Sequence, residues 1–264
     1  MNVAVFVKAS LDPNMLRVDS SGRILVEDIP LAISEYDRNA VEEAVRLKEK
    51  HGGKVVALSA LTWGPVQKRV REAEQVLREA LAMGADEAYL LVDEALIPGN
   101  PYTTAGALAA LAQKVGEFDL YLTGEGSMDT LSFQMAARLG EALGIPAVSY
   151  ARALEISEGK ARVTRDLEEH LETVEVNLPA VVSVTGEINK PRLPTLLQIR
   201  RAFAKPLNKL SLADVGYTPP SAAVEVEELR LLAVSRKNII VEGSSLEEIA
   251  SKLVDLLVKE GIVK

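Results

Sequence analysis

The stretch "LYLTGEGSMDTLSFQMAARLG", residues 120–140, holds the residues whose types and spacing best suit chemistry. A short apolar run ends in Gly124-Glu125-Gly126, followed by Ser127, Asp129, Thr130 and Ser132 and then by a helical pattern. A glycine turn leading into a helix is an anion site, because unpaired backbone N–H groups face outward there. Its usual cation is missing. No lysine follows the glycines, so a GxxxxGK[ST] phosphate loop is excluded. A third glycine at GxGxxG spacing is also absent, and the turn follows a late strand rather than the first, so the ordinary dinucleotide fingerprint does not apply. Glu125 and Asp129 would repel a triphosphate unless a metal intervened. One phosphate, held by backbone amides and the hydroxyls of Thr130 and Ser132, suits these residues. A capped helix behind a tight turn, with no ligand, suits them equally well.

Other reactive groups are few. The chain has no cysteine, which excludes disulfides, thiolate catalysis and Cys-ligated metal. His51 and His170 lie far apart, and His51 precedes Gly52-Gly53 as a helix C-terminal residue would. No Ser/His/Asp or His/carboxylate set is present, so no catalytic residue and no metal ligand are assigned. The net charge of −8 disfavours a nucleic-acid partner. No apolar run reaches the ~18 residues that a membrane span needs. The chain starts directly in the strand-like "MNVAVFVKAS", without a signal-peptide pattern, so the expectation is a cytoplasmic protein without membrane insertion.

These residues need a scaffold. Apolar residues make up 48 % of the 264 and aromatics only 4 %, so the core must be mainly Leu, Val, Ile and Ala. Val3–Val7, "KVVALSAL", "EAYLLVD", "LYLTG" and Ala180–Val184 read as buried strands by length and branching. Between them, "SEYDRNAVEEAVRLKEKHGG", "VQKRVREAEQVLREALAMGAD" and "NPYTTAGALAALAQKVGEFD" read as helices, the first capped by Ser34 or Asp37. "RVDSSGRILVEDIP" reads as a hairpin. This rhythm predicts an α/β fold with a doubly wound, mostly parallel sheet over residues 1–188. Ligands in such a sheet sit at the strands' carboxyl ends. Residues 189–264 are expected to form a second region: a proline-punctuated basic arm and a capped amphipathic helix in "SSLEEIASKLVDLLVKEGIV". That helix would leave apolar surface bare, which points to a partner chain.

Several stretches together resemble the β subunit of electron-transfer flavoprotein. They are "AVEEAVRLKE" at 40–49, "ALAMGAD" at 80–86, the loop at 124–135 and "NKPRLPTLLQIRRA" at 189–202, in order along the whole chain. The resemblance implies a Rossmann-like fold of the adenine nucleotide α-hydrolase type. It implies a heterodimer with an α subunit that holds most of an FAD. Electrons would pass from acyl-CoA or other flavin dehydrogenases toward a quinone oxidoreductase. It also implies a structural AMP in the β subunit without Mg²⁺, or, in electron-bifurcating relatives, a second FAD in that place. Carried over by position, the nucleotide and flavin contacts would be Phe6, Ser34, Glu35, Tyr36, Asp37, Ala60, Gly124, Glu125, Gly126, Ser127, Met128, Asp129, Thr130, Leu131, Ser132, Phe133, Gln134 and Met135. Tyr36 matches an aromatic near the flavin ring, and Asp166 an acid that steadies the flavin domain. Leu196 matches the leucine anchor that plugs a pocket on a dehydrogenase, with Arg192, Arg200 and Arg201 around it to steer acidic partners.

The loop departs from the family's pattern. Gly-Lys-Gln is Gly124-Glu125-Gly126 here, Ala-Ile-Asp is Ser127-Met128-Asp129, two acids are Thr130 and Leu131, and a later glycine is Ala136. These changes bear on ligand identity rather than fold. The Gly-Asp-Thr run of bifurcating relatives is missing, which favours AMP over a second FAD. A universal-stress-type nucleotide module shares the α/β rhythm, but it leaves the arm unexplained and predicts a homodimer.

Overall fold

A computed structural model describes residues 1–221, 226–232 and 236–263. In chain order the elements are β1 (Asn2–Phe6), β2 (Ala9–Leu11), β3 (Leu31–Ile33), α1 (Glu35–His51), β4 (Lys54–Ala60), α2 (Val66–Met83) and β5 (Glu87–Leu91). Next come α3 (Pro101–Val115), β6 (Leu120–Gly124), α4 (Met135–Leu143), β7 (Ala147–Ser157), β8 (Lys160–Asp166) and β9 (Leu171–Asn177). The last are β10 (Ala180–Val184), α5 (Leu196–Ala202), β11 (Leu207–Leu210) and α6 (Leu246–Lys259). The chain forms two compact units, Met1–Leu229 and Arg230–Lys264.

The first unit is the expected α/β fold with a mostly parallel sheet. Its strands run β11-β5-β4-β1-β6-β10-β7-β8-β9, antiparallel only at β7-β8-β9. The two-residue alternation of a strand explains how the sheet is covered on both faces. Val3 and Val5 of β1 pack with α1 and α2, whereas Ala4 and Phe6 pack on the other side with α3 and α4. Helices stop where glycine can adopt a positive φ. Gly52 (φ 72°) closes α1 with its N–H on the Lys48 carbonyl. After β1 the chain moves out through β4 to β5 and then returns to β6 on the other flank of β1. The order therefore reverses between β1 and β6, and a crevice opens at their carboxyl ends.

Three local expectations are corrected. The hairpin is shorter than expected: it turns at Asp19–Gly22 and pairs around the Val18–Ile24 bridge, with the Asp19 N–H on the Arg23 carbonyl and the Leu25 N–H on the Arg17 carbonyl. The chain after it is drawn elsewhere, because buried Arg69 donates to the Val26 and Ile29 carbonyls. Second, α4 starts at Met135 and not near Asp129. Leu131 (φ 45°) and Phe133 (φ 52°) hold left-handed conformations that no helix accommodates. Third, Ser34 stands at the N-cap of α1, yet its hydroxyl makes no cap bond, and Asp37 caps nothing because its carboxylate points out of the helix. The arm also does more than extend. Its β11 adds a parallel strand beside β5, and Lys205 secures it by donating to the Leu81 and Ala85 carbonyls at the end of α2.

In the second unit, the Ser245 hydroxyl caps α6 by accepting from the Glu248 N–H at 3.2 Å. Leu253, Val254 and Val258 on α6 are exposed. No helix among the described residues is long and apolar enough to cross a membrane.

Candidate functional site

A cavity of about 290 Å³ lies in the crevice at the ends of β1, β4 and β6. Three backbones meet there because Asp37 ties them. Its carboxylate accepts the Lys8 N–H at 2.8 Å and the Gly124 N–H at 3.3 Å, joining the first turn of α1 to the ends of β1 and β6. Gly124 is required at this junction. A Cβ there would lie 2.7 Å from Asp37 Oδ1 and from the Tyr36 backbone. Burial pushes the Asp37 carboxyl up to about 7 against the pull of those two amides.

The cation that the glycine loop lacks comes from the segment that follows β1. Lys8 Nζ lies 2.7 Å from Asp129 Oδ1, 3.2 Å from Ser127 Oγ and 3.3 Å from Thr130 Oγ1. Asp129 is saturated: Trp63 Nε1 donates to it at 2.7 Å, the Leu11 N–H at 3.2 Å and Ser127 Oγ at 2.7 Å. Burial alone would raise the Asp129 carboxyl, but the Lys8 charge and these hydrogen bonds outweigh it and hold it below the usual carboxylate range. The acid expected to repel phosphate is thus neutralised by an ion pair. Glu125 differs, since burial and then Glu187 push its carboxyl up.

Twelve residues named from the sequence line this cavity: Phe6, Asp37, Ala60, Gly124, Glu125, Gly126, Ser127, Thr130, Ser132, Phe133, Gln134 and Met135. Ser34, Glu35, Tyr36, Met128, Asp129 and Leu131 are not in its wall, although Asp129 braces Lys8 from behind. Lys8, Thr62, Trp63 and Thr123 are wall residues that sequence reasoning missed. The carboxyl-end rule could have found them, since they end or follow β1, β4 and β6. Thr62 and Thr123 are informative: both side-chain oxygens are buried, neither has a hydrogen-bond partner, and both residues line the cavity. Buried hydroxyls are normally satisfied. A polar ligand would satisfy these two.

The arm presents a different surface. Leu196 opens α5 under a capping box made by Thr195 and Gln198, and it is 81 % exposed. Leu193, Leu197 and Phe203 are exposed beside it. Arg200 and Arg201 point to solvent, whereas Arg192 is engaged with Glu42 and Glu49. Asp166 pairs with Arg152 at 2.9 Å.

Comparison with known proteins settles the lineage. The model of the electron transfer flavoprotein domain matches residues 23–215. The electron transfer flavoprotein subunit beta of Thermoanaerobacterium thermosaccharolyticum is 40 % identical over 215 residues, 81 % of this chain and 79 % of that one. That of Bacillus subtilis is 35 % identical over 266 positions and the full length of both chains. The chain belongs to the electron transfer flavoprotein β-subunit family. A relative within the same similarity range is the caffeyl-CoA reductase-Etf complex subunit CarD of Acetobacterium woodii, 30 % identical over 269 positions and the full length of both. Membership in the electron transfer flavoprotein family gives the chain a role in electron transfer. The described wall combines apolar groups, hydroxyls, the carboxyls of Asp37 and Glu125, and one cation, Lys8.

Proposed function

We propose that the chain is the β subunit of an electron transfer flavoprotein heterodimer and holds AMP in the cavity at the ends of β1, β4 and β6. The observation that carries this reading is the single cation. Lys8 is the only lysine or arginine in the cavity wall among the described residues, and Asp129 already offsets its charge. One phosphate suits that balance, and three do not. Backbone amides at Gly126 and Ser127 and the hydroxyls of Ser127 and Thr130 would hold the phosphate beside Lys8. Thr62 and Thr123 supply unsatisfied hydroxyls for the ribose, and Phe6, Leu108 and Phe133 an apolar wall for the base. The cavity volume is at the small end of ligand pockets, roughly 300 to 1,000 Å³, which favours a mononucleotide over a dinucleotide.

The α subunit would hold most of an FAD, which when bound accepts and releases electrons one or two at a time. Tyr36 of this chain would approach that flavin. Leu196, Arg200 and Arg201 would meet acyl-CoA or other flavin dehydrogenases, and the electrons would leave toward a quinone oxidoreductase. A second reading follows from the resemblance to electron-bifurcating relatives, in which a second FAD takes the place of AMP; the Acetobacterium relative, named as a subunit of a caffeyl-CoA reductase-Etf complex, is compatible with it. Titration of the nucleotide-stripped heterodimer with AMP, ATP and FAD separates the two. Tightest binding of AMP is expected, weakened about tenfold or more in Lys8→Gln by loss of a charge-assisted hydrogen bond. Tighter binding of FAD than of AMP would favour bifurcation. An unchanged affinity in Lys8→Gln would remove the lysine from the site.

A further inference from the structure

α1 carries polar residues that its amphipathic pattern does not explain. Asn39, Glu42 and Glu43 are all buried, Glu42 to 3 % exposure, and none lines the cavity. The turn after β10 and the start of the arm cover them. Asn39 Nδ2 donates to the Asn189 carbonyl at 2.9 Å, and Asn189 Nδ2 donates back to the Asn39 carbonyl and to Glu43 Oε2, each at 3.0 Å. Arg192 completes the attachment. Its backbone N–H donates to Glu42 at 3.1 Å, its Nε to Glu42 at 2.8 Å and its Nη1 to Glu49 at 2.6 Å. Glu42 and Glu49 are seven residues apart, two turns along one helix face, so one guanidinium fork spans both carboxylates. Burial would raise Glu42, but Arg192 and Arg46 outweigh it and hold it below the usual range, while Glu49 and Glu42 keep Arg192 firmly protonated. Immediately beyond this attachment the apolar residues emerge, with Leu193 at 92 % exposure and Leu196 at 81 %.

The Arg192 guanidinium makes four hydrogen bonds inside the chain, two to Glu42 and two to Glu49, which leaves it little to offer a partner's carboxylate. We propose that Arg192, with Asn189, is a positioning residue: it clamps the arm to α1 and holds the Leu193–Phe203 apolar surface in its docking orientation before a partner dehydrogenase arrives. This rests on reading the arm as a docking surface. Ordering that surface in advance removes a cost from binding, so the clamp acts on affinity without touching the partner.

The test uses the flavin-loaded heterodimer and a flavin dehydrogenase as electron donor, with Arg192→Gln, Glu42→Gln, the double variant, Arg192→Lys and Leu196→Ala. Hydrogen exchange of amides 193–203 is measured without the donor. The clamp predicts faster exchange there in both Arg192→Gln and Glu42→Gln. It predicts a half-saturating partner concentration raised about tenfold in each, and no further rise in the double variant. The maximal rate, the flavin content and the steepness of the salt dependence should stay as in the parent. If Arg192→Gln does not fold, Arg192→Lys carries the test, because an ammonium cannot span both carboxylates and should give the same pattern more weakly. Exchange unchanged in both single variants would overturn the clamp. So would a loss confined to the arginine variants with a flattened salt dependence, since that would place Arg192 on the partner. A silent Leu196→Ala would instead count against the docking surface, and hydrogen exchange would still decide the clamp.

Discussion

Asp37 sits where three elements converge, and its chemistry can be read from outside the molecule. Its folded-state pKa, raised by burial to about 7, exceeds the ordinary aspartate value of 3.8. The folded protein therefore binds a proton that the unfolded chain has released between about pH 4 and pH 7. Stability from this group is fully present below the lower value and is lost as pH rises through the upper one. Asp37→Asn keeps an acceptor for one amide and removes the titration. The thermal midpoint of the parent relative to Asp37→Asn should be highest and flat below about pH 4, fall between about pH 4 and pH 7, and level off above that. Parallel curves across that range would show that Asp37 stays ionised. At the same scale, Lys8 was the hardest residue to read. Its partner Asp129 lies 121 positions away, and the loop that needs a cation does not contain one. Only the fold brings β1 and β6 side by side, so that a lysine just after one can serve the loop just after the other. Asp129 suited a helix cap as well as a ligand site for a related reason, since short polar side chains suit both.

Elements were more legible than residues. The β-branched runs of β1, β4 and β10 and the glycines that end α1 and α2 fix strands and helices locally, so sequence suffices. The apparent start of α4 failed because its cap-like residues are spent on Lys8. The place of β11 was not readable either. Four edge residues, half-buried at most, carry little pattern, and what fixes them is the reach of Lys205 to carbonyls of another helix end. The arm's exposed face belongs to this scale. Leu196 is held at the first turn of α5 by the Thr195–Gln198 capping box, which makes it a rigid apolar projection. Leu196→Ala removes that projection and no internal contact of the cavity. Electron transfer from a dehydrogenase should slow through a higher half-saturating concentration, with flavin content unchanged. Equal rates at all partner concentrations would remove Leu196 from the interface.

For the whole molecule, the doubly wound sheet places the cavity at the point where strand order reverses, and the arm on the face of α1 away from it. One helix thus carries both Asp37, at the cavity, and the acids that hold the arm. Exposed apolar side chains on α6 fit a chain that completes its surface with a partner. The electron-transfer role follows from the family, and the adenine mononucleotide and the shared FAD are the central claim. The measurement that tests it most directly is made on protein co-expressed with its α subunit and purified without added nucleotide. The complex is denatured, and the released small molecules are separated and quantified by absorbance. One AMP and one FAD per heterodimer is the predicted result. Two FAD without AMP would contradict the mononucleotide assignment, and a homodimer releasing neither would contradict the shared-flavin account altogether.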